Sequence, residues 1–398
     1  MPAKPASQLD VLKSLAANLQ IVKTKPQMLL FLLNYMGKFK IKNLDGDLII
    51  HSHLPQLNSK AYGRFINEQL LAKIPGPAHA QIGLTNACPQ NCEYCYNKHR
   101  QGERMDTETI IKLIGDLKRM GVLWLGFTGG EPLLNKDICR IIESVGDDCT
   151  RKLFTTGCTL TAQKAQDLKN AGLDYVSVSL DHWLPEVHDR GRRFPGAFKA
   201  ALDAIELFKN VRGLHVSVSS VISKEMLQKG QVEEFLQFLA GLDVHEAWLS
   251  ETKPSVAAFW DDALLFTEQE RLNLVALQDR YNKEGKMTIN YLGHFEGREH
   301  FGCNAGKKMI YVDAFGEVSP CVFTPMTFGN VREKSVATIY NEMQSHFPSE
   351  DSCFINKNYK LFQQYITGNA PVSPQDSVKL VEQVKFGDLS KFYRCYYH

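Results

Sequence analysis

Three cysteines, Cys88, Cys92 and Cys95, fall within one stretch of eight residues. Thiolates are soft ligands that suit iron–sulfur clusters and zinc. A structural zinc site is closed by four ligands, whereas no further cysteine or histidine follows here before His99. Three thiolates on a four-iron cubane leave one iron open to bind a substrate. We therefore favour an iron–sulfur cluster, and keep a zinc knuckle or three buried structural cysteines as the alternatives.

The chain has ten cysteines, and their expected use depends on the cellular compartment. Residues 1 to 20 lack the continuous apolar stretch and the small-residue cleavage site of a signal peptide. The longest apolar run, Met28 to Leu33, is far shorter than the roughly 20 residues that a membrane-spanning helix needs. We therefore expect a cytoplasmic protein without a transmembrane segment. Disulfides are disfavoured in that compartment, so metal or redox use of the cysteines is favoured.

Composition and charge argue against some classes of partner. The chain has 398 residues, of which 44% are hydrophobic and 23% are charged. This is an ordinary globular mixture, long enough for two or three domains. The formal net charge of +2 gives no global basic field, so we expect no nucleic-acid partner.

The cysteine loop follows the first of six apolar, strand-like runs that alternate with helical patterns. Short strands separated by helices indicate βαβ units and a parallel sheet. Six units are too few for an eight-unit barrel, so the sequence predicts an α/β fold with an open, partial (β/α)6 barrel of the TIM type. Ligands of such barrels gather at the C-terminal ends of the strands. The predicted strands are 79–85, 122–127, 151–156, 174–180, 214–222 and 245–250, and the predicted helices are 107–119, 135–145, 161–171, 196–209, 230–240 and 268–284.

Two further segments flank the predicted barrel, which spans residues 78–286. Residues 1–77 are predicted to be a mostly helical N-terminal extension that ends in the turn Ile74-Pro-Gly-Pro77. Residues 287–398 are predicted to be a small C-terminal α+β domain. It contains a hairpin signal, because the apolar run 309–312 and the short segment 317–319 flank a turn that contains Gly316.

The cysteine spacing, with the aromatic Tyr94 before the last cysteine, resembles the signature of the radical S-adenosylmethionine (SAM) superfamily. The second strand ends in Thr128-Gly-Gly-Glu-Pro132, which resembles the family's GGEP motif. Two glycines let the backbone approach a ligand without a clash at Cβ, and a carboxylate can accept from the SAM ammonium group. The resemblance implies that Cys88, Cys92 and Cys95 hold a [4Fe–4S] cluster, and that SAM is bound by Tyr94, Gly129, Gly130, Glu131 and Pro132.

Two more positions correspond to the family's SAM site. The fourth strand, Val176-Ser-Val-Ser-Leu180, resembles the strand whose serine contacts the SAM ribose, which implies that role for Ser179. The segment Arg193-Phe-Pro-Gly-Ala-Phe198 resembles the family's Arg-Gly-x-Gly-Ser-aromatic segment. That match implies that Arg193 pairs with the SAM carboxylate, which suits a guanidinium fork. At the end of the third strand, Thr156 stands where the family often has asparagine.

The C-terminal region resembles the SPASM domain or its shortened twitch form, in which a hairpin flanked by cysteines cages an auxiliary iron–sulfur cluster. The resemblance rests on Cys303-Asn-Ala-Gly306 and on Gly316 followed by Cys321. A full SPASM domain continues with a dense run of cysteines that this chain lacks, and its four cysteines can fully ligate one cluster but not two. The resemblance implies one auxiliary cluster held by Cys303, Cys321 and Cys353, with Cys395 as the fourth ligand or a free thiol.

The resemblance also implies a mechanism. A reduced cluster passes an electron to the SAM sulfonium, and cleavage gives methionine and a 5′-deoxyadenosyl radical that abstracts hydrogen from the substrate. The auxiliary cluster would take an electron from the substrate radical or bind substrate, so we expect an oxidation or a bond-forming reaction. We expect flavodoxin or ferredoxin as the reductant.

The substrate stays open at this point between a ribosomal peptide and a small or apolar metabolite, including a lipid. A non-catalytic iron–sulfur protein for electron transfer or scaffolding is the alternative from another class. The glycine-rich SAM turn argues against it, since an electron carrier needs no methionine site.

Replacing Cys92 by alanine should abolish SAM cleavage and leave the fold largely intact, because only three thiolates hold the predicted cluster. The measurement is the yield of 5′-deoxyadenosine from variant protein that has been purified anaerobically, reconstituted and reduced with dithionite. A yield equal to that of the wild type would contradict the assignment.

Overall fold

The computed structural model describes residues 4–285, 287–347, 352–366 and 370–397. Among these residues, nine strands form one sheet, and the first seven lie side by side in chain order and are all parallel. These are His79–Gly83 (β1), Trp124–Thr128 (β2), Thr150–Thr155 (β3), Tyr175–Ser179 (β4), His215–Ile222 (β5), Glu246–Glu251 (β6) and Thr288–Tyr291 (β7).

Helices connect the parallel strands. The helix Thr107–Arg119 shows why they form where they do. The Asp106 side chain accepts from the Thr109 backbone N–H at its start, and its apolar residues at positions 110, 113, 114 and 117 are buried. The other connecting helices are Ile138–Glu143, Ala162–Asn170, Pro185–Arg192, Ala197–Lys209, Lys224–Gln228, Val232–Gly241 and Glu268–Glu284.

The predicted α/β fold with a partial barrel is confirmed, and the structure adds strands at both edges of the sheet. The short strand β7 extends the sheet beyond the six predicted strands. At the other edge, Met309–Val312 (β8) pairs in parallel with β1, and Val318–Ser319 (β9) pairs antiparallel with β8. The predicted C-terminal hairpin therefore continues the barrel sheet. The division of the chain at residues 77 and 286 stays a prediction, and residue 286 lies outside the described residues.

The C-terminal segment contributes the helices Leu292–Phe295, Val336–His346, Phe354–Phe362, Pro374–Glu382 and Lys391–Tyr397. The N-terminal extension contains the helices Gln8–Ala17 and Pro26–Met36, the short turn Leu19–Lys23, and the strands Lys4–Pro5, Lys42–Leu44 and Asp47–Ile49, which form a small antiparallel sheet. Its helix Lys60–Arg64 continues as a π-helix over Phe65–Leu71.

The N-terminal extension closes the end of the barrel at which the strands begin. Its Ser52 carbonyl accepts from the Trp124 indole at 2.9 Å, and its hydroxyl accepts from the Lys152 ammonium at 2.6 Å. The Ser52 backbone N–H donates to the Glu246 carboxylate at 2.8 Å, and the His53 ring stacks on Trp124. The loop around Ser52 therefore fills the end of the barrel at which the strands begin. The end at which the strands finish stays free for a site.

Each helix among the described residues is too short or too polar to cross a bilayer.

Arg100 joins the cysteine loop to the β8–β9 hairpin. Its guanidinium lies 3.1 Å from the Asp313 carboxylate and 3.1 Å from the Ser319 hydroxyl, and both ends of the ion pair are buried. Asp313 also accepts from two backbone N–H groups of the hairpin turn. The loop and the hairpin are thus fixed to each other by a buried charge pair.

Arg100→Ala should lower the free energy of unfolding by about 3–5 kcal/mol, because it leaves the Asp313 carboxylate buried without its partner. Denaturant unfolding of the purified protein measures this. The matched control is Lys60→Ala, which breaks the exposed ion pair with Asp147 and should leave stability near that of the wild type. Equal effects of the two variants would contradict the argument.

Candidate active site

A cavity of about 440 Å³ opens at the C-terminal ends of the barrel strands. Cys88, Cys92 and Cys95 all line it. Its other walls come from the ends of several strands, including Thr128, Thr155 and Ser179. A cavity of this volume lies within the usual range of small-molecule sites, and it lies where barrel folds bind their ligands.

The three thiols fit a cluster better than they fit the core. Burial raises the pKa of Cys88 to about 12 and also raises that of Cys92. Bound metal reverses this balance, because it favours the thiolate over the thiol. Among the residues described, no three histidine, cysteine or acidic side chains converge as they would on a single metal ion. The fit to a cluster rests on the shared cavity and on the chemistry of three thiolates.

Gly129 and Gly130 bring the end of β2 against the cysteine loop. The Gly130 backbone N–H donates to the Thr85 carbonyl at 2.6 Å, and the next N–H along the chain, that of Glu131, donates to the Ala87 carbonyl at 2.8 Å. A Cβ at Gly129 would lie 2.3 Å from the Thr85 carbonyl oxygen, and one at Gly130 would lie 2.2 Å from that of Ala87. Both positions therefore require glycine, since the neighbouring backbone leaves no room for a side chain. Both glycines also line the cavity.

Glu131 is fully buried, and its carboxylate is used inside the protein. It accepts from the Thr155 hydroxyl at 2.6 Å, from the Thr156 backbone N–H at 2.7 Å and from the Thr156 hydroxyl at 2.5 Å. Burial raises its pKa, and these donors act against that rise. Neither Glu131 nor Pro132 lines the cavity. Thr156, which departs from the family's asparagine, is one of the two threonines that hold this carboxylate.

A buried charge cluster lies beside Cys92. The Arg192 guanidinium is 2.8 Å from the Asp181 carboxylate and 3.9 Å from the Cys92 sulfur, and it lies over the Tyr94 ring. The Tyr94 hydroxyl donates to the same carboxylate. Burial opposes ionisation of Asp181, but the Arg192 charge, together with His188 and the hydrogen bonds from Tyr94 and the Val221 backbone, outweighs it and leaves the pKa of Asp181 below its usual value. Arg192, Tyr94 and Ser179 all line the cavity.

Arg193 is placed differently from the sequence-based expectation. It lies outside the residues that line the cavity, and its exposed side chain pairs with Glu93 at 2.6 Å. Arg193 ends the helix Pro185–Arg192 in a left-handed conformation, with φ of 48°. Because the chain reverses at this point, the side chains of Arg192 and Arg193 point in different directions, and the side chain of Arg192 is buried.

Several cavity residues have no motif in the sequence. Phe154 and Trp248 form an aromatic wall, with ring centroids 5.1 Å apart. Ser219 and Ser250 extend the row of hydroxyls that begins at Ser179. The one available signal was position, because each of these residues lies in or directly at the end of a predicted strand. Single side chains of these types are too common in strands to stand out.

A second cavity brings together Cys303, Cys321 and Cys353. Burial raises the pKa of Cys353 to about 12 and that of the other two thiols above the usual value. The Thr324 hydroxyl lies 3.1 Å from the Cys321 sulfur. These three thiols fit a cluster by the same argument as the first set. Cys353 lies with the hairpin cysteines although no spacing motif marks it.

Cys395 lies apart from that cavity. It is part of the terminal helix Lys391–Tyr397, whose aromatic residues pack on the helix Pro26–Met36. Cys395 is half-buried against this aromatic cluster. Of the two roles left open for it, this position favours the free thiol.

A lysine connects the two cavities. Lys253 lines the first one, and its buried ammonium lies 2.7 Å from the carboxylate of Glu296, which lines the second. Glu251 also contacts this ammonium, at 3.1 Å. Although burial opposes the charge, Cys353 and the two carboxylates raise the pKa of Lys253 well above its usual value. A charged lysine that is paired with two carboxylates therefore lies where the two cavities meet.

Family models match two stretches of the chain. Residues 82–239 match the radical SAM superfamily, and residues 303–361 match the iron–sulfur cluster-binding domain SPASM. The chain is a radical SAM enzyme with a C-terminal SPASM domain. Its cofactors are accordingly a [4Fe–4S] cluster, SAM and auxiliary iron–sulfur.

Relatives of this radical SAM enzyme catalyse several different reactions. PqqA peptide cyclase of Granulibacter bethesdensis is 26% identical over 289 residues, which cover 68% of this chain and 75% of the relative. AdoMet-dependent heme synthase of Methanosarcina barkeri is 27% identical over 300 residues, covering 69% and 85%. The solved structure of Streptococcus suis SuiB with precursor peptide SuiA shares the fold, with a TM-score of 0.56 at 16% identity over 80% of this chain and 79% of SuiB.

Arg192→Ala in this radical SAM enzyme should weaken SAM binding roughly tenfold or more. The substitution removes the buried guanidinium, which can then no longer make a charge-assisted contact in the cavity. Arg193→Ala is the adjacent control and should change it by less than about twofold, since its partner is an exposed carboxylate. Equilibrium dialysis of reconstituted protein with labelled SAM measures both. A loss with Arg193→Ala alone would support the sequence-based expectation instead.

Proposed function

We propose that this enzyme binds its catalytic cluster through Cys88, Cys92 and Cys95 and removes hydrogen from a substrate held between its two cysteine-lined cavities. The outcome is an oxidation or a bond-forming step. One observation carries the proposal: the same four residues line both cavities, namely Gln81, Trp248, Val322 and Phe323. A substrate against this shared wall lies next to both cysteine sets at once.

The residues of the first cavity bind and orient SAM. When bound, the reduced cluster and SAM together supply a one-electron cleavage of a carbon–sulfur bond, which starts the radical chemistry. The backbone at Gly129 and Gly130 forms the wall next to the cysteine loop, and Ser179 offers its hydroxyl to the ribose. Arg192 offers its guanidinium to the SAM carboxylate in place of Arg193. Glu131 and Pro132 do not line the cavity, and they hold the backbone of Gly129 and Gly130 in place.

The aromatic residues of the cavity exclude water from the reacting groups. Phe154 and Trp248 cover one side, and Tyr96 packs edge-on against Tyr311 with ring centroids 5.9 Å apart. The Tyr96 hydroxyl is held by Thr128 at 3.0 Å. Rings fixed in this way protect a reactive site from side reactions with solvent.

The second cavity provides an acceptor for an electron from the substrate radical. Cys303, Cys321 and Cys353 hold the auxiliary cluster, and the ion pair of Lys253 with Glu296 lies at the edge of their cavity. An acceptor of this kind allows loss of a second electron from the substrate, which is what an oxidation or a new bond requires. We propose flavodoxin or ferredoxin as the external reductant.

Peptide modification is the second candidate for the substrate class, beside a small or apolar metabolite. It is supported by the names of the relatives, which include a peptide cyclase and a protein bound to its precursor peptide. Incubation with short peptides encoded beside the gene, followed by mass spectrometry, separates the two classes. A peptide that loses hydrogen in a SAM-dependent way would decide for the second candidate.

The triple alanine variant at Cys88, Cys92 and Cys95 should still carry about four irons after reconstitution, as expected for one auxiliary four-iron cluster. Adding Cys353→Ala should lower the iron and sulfide of that variant to near zero. Adding Cys395→Ala instead should leave them in place, because this thiol lies outside the cavity.

Iron, sulfide and circular dichroism are measured together, so that loss of iron is distinguished from loss of fold. A folded triple variant without iron would contradict the proposed auxiliary site. In the wild type, dithionite-dependent release of 5′-deoxyadenosine tests the catalytic cluster separately.

A further inference from the structure

The N-terminal extension exposes an unusual amount of apolar surface. Seven of the eleven exposed large apolar side chains among the described residues lie between positions 9 and 33, and each is at least half exposed. Scattered exposed leucines need no explanation, but a concentration of them marks an interaction surface. They are Leu9, Leu12, Leu15, Leu19, Val22, Leu30 and Leu33.

These side chains are exposed although the helices that bear them are firmly attached. Ser14 and Asn18 are buried and donate to the Leu57 carbonyl at 3.0 and 3.1 Å. On the helix Pro26–Met36, Phe31 and Tyr35 are buried against the aromatic residue Phe301. Each helix therefore has one face fixed to the protein and an apolar face left over. We name the exposed apolar residues of both helices and the turn between them the leucine face.

The charges in the segment that bears the leucine face are predominantly positive. Residues 4 to 33 contain four lysines and Asp10 as the one acidic residue, a net charge of +3. The whole chain carries +2, so the rest of it sums to −1. Lys4, Lys13, Lys23 and Lys25 are exposed beside the leucines. Leucines on one side with lysines around them are typical of helices that lie in a membrane interface.

We propose that the leucine face docks this enzyme onto the surface of an anionic phospholipid bilayer, with the leucines in the acyl boundary and the lysines at the headgroups. Charge complementarity selects this occupant, because juxtamembrane lysines are attracted by the negative surface potential of anionic lipids. A second copy of the chain would bring two sets of lysines together, which disfavours a dimer through the same face. The proposal is independent of the proposed function, since none of these residues lines the first or the second cavity.

The test is flotation of the full-length reconstituted enzyme with lipid vesicles. With vesicles of phosphatidylcholine containing about a third phosphatidylglycerol, the wild type should partition at least roughly tenfold more strongly than with phosphatidylcholine alone. Salt at about 1 M, where the Debye length is about 3 Å, should remove most of this difference.

Two variants assign the binding to the leucine face. Leu12→Gln with Leu15→Gln, Leu30→Gln and Leu33→Gln should reduce the partition by roughly tenfold or more, through loss of apolar burial. Lys13→Glu with Lys23→Glu should reduce it to a similar extent on anionic vesicles only. The control Leu272→Gln removes a comparably exposed leucine from a barrel helix and should bind like the wild type. SAM cleavage and circular dichroism confirm that each variant is folded.

Equal partition of the wild type onto neutral and anionic vesicles, or none onto either, would overturn the proposal. So would a dimer seen without lipid in sedimentation velocity and abolished by the leucine substitutions, since that result assigns the face to a second copy. Capture of an encoded peptide by the face, again lost in the leucine variants, would likewise replace the membrane as its partner.

Discussion

Glu131 holds the ends of three neighbouring strands together through its carboxylate and its backbone N–H, and the walls of the first cavity depend on it. It accepts from Thr155 and Thr156 at the end of β3, while its own backbone N–H donates to Ala87 in the cysteine loop at 2.8 Å. A buried carboxylate is costly unless its acceptor sites are satisfied. Here they are satisfied by Thr155 and Thr156, which must therefore stay in place and which fix one wall of the first cavity.

The two cysteine-lined cavities are coupled by packing and by charge. The shared wall of Trp248 and Phe323 belongs to β6 and to the segment after the β8–β9 hairpin, so the SPASM region completes the catalytic cavity. Arg100 keeps the hairpin at a fixed distance from the cysteine loop through Asp313. Lys253 lines the first cavity and forms an ion pair with Glu296, which lines the second. The C-terminal segment is therefore an integral part of the site, because its strand β8 continues the barrel sheet.

Much of the barrel could be predicted because local signals agree with the tertiary structure. The helices Thr107–Arg119 and Glu268–Glu284 have the predicted ends, since a side-chain cap marks the start of each. The strand β7 was not predicted, because four buried residues after Gly285 carry too little pattern to distinguish a strand from a loop. The choice between Arg192 and Arg193 could not be read from adjacent identical residues, since the left-handed turn at Arg193 decides which side chain points inward.

The sequence by itself determined the order of strands and helices in the barrel, and it predicted the three thiolate ligands of the first cluster and the glycine-rich SAM turn. These follow from residue type and from short-range spacing, which act within one loop or one element. Only the tertiary structure decided that Cys353 joins Cys303 and Cys321 while Cys395 packs elsewhere. It also decided that Lys253 lies between the two cavities, and that the leucines of the N-terminal helices remain uncovered. These are relations between segments far apart in the chain, and their geometry depends on how whole elements pack rather than on any local pattern.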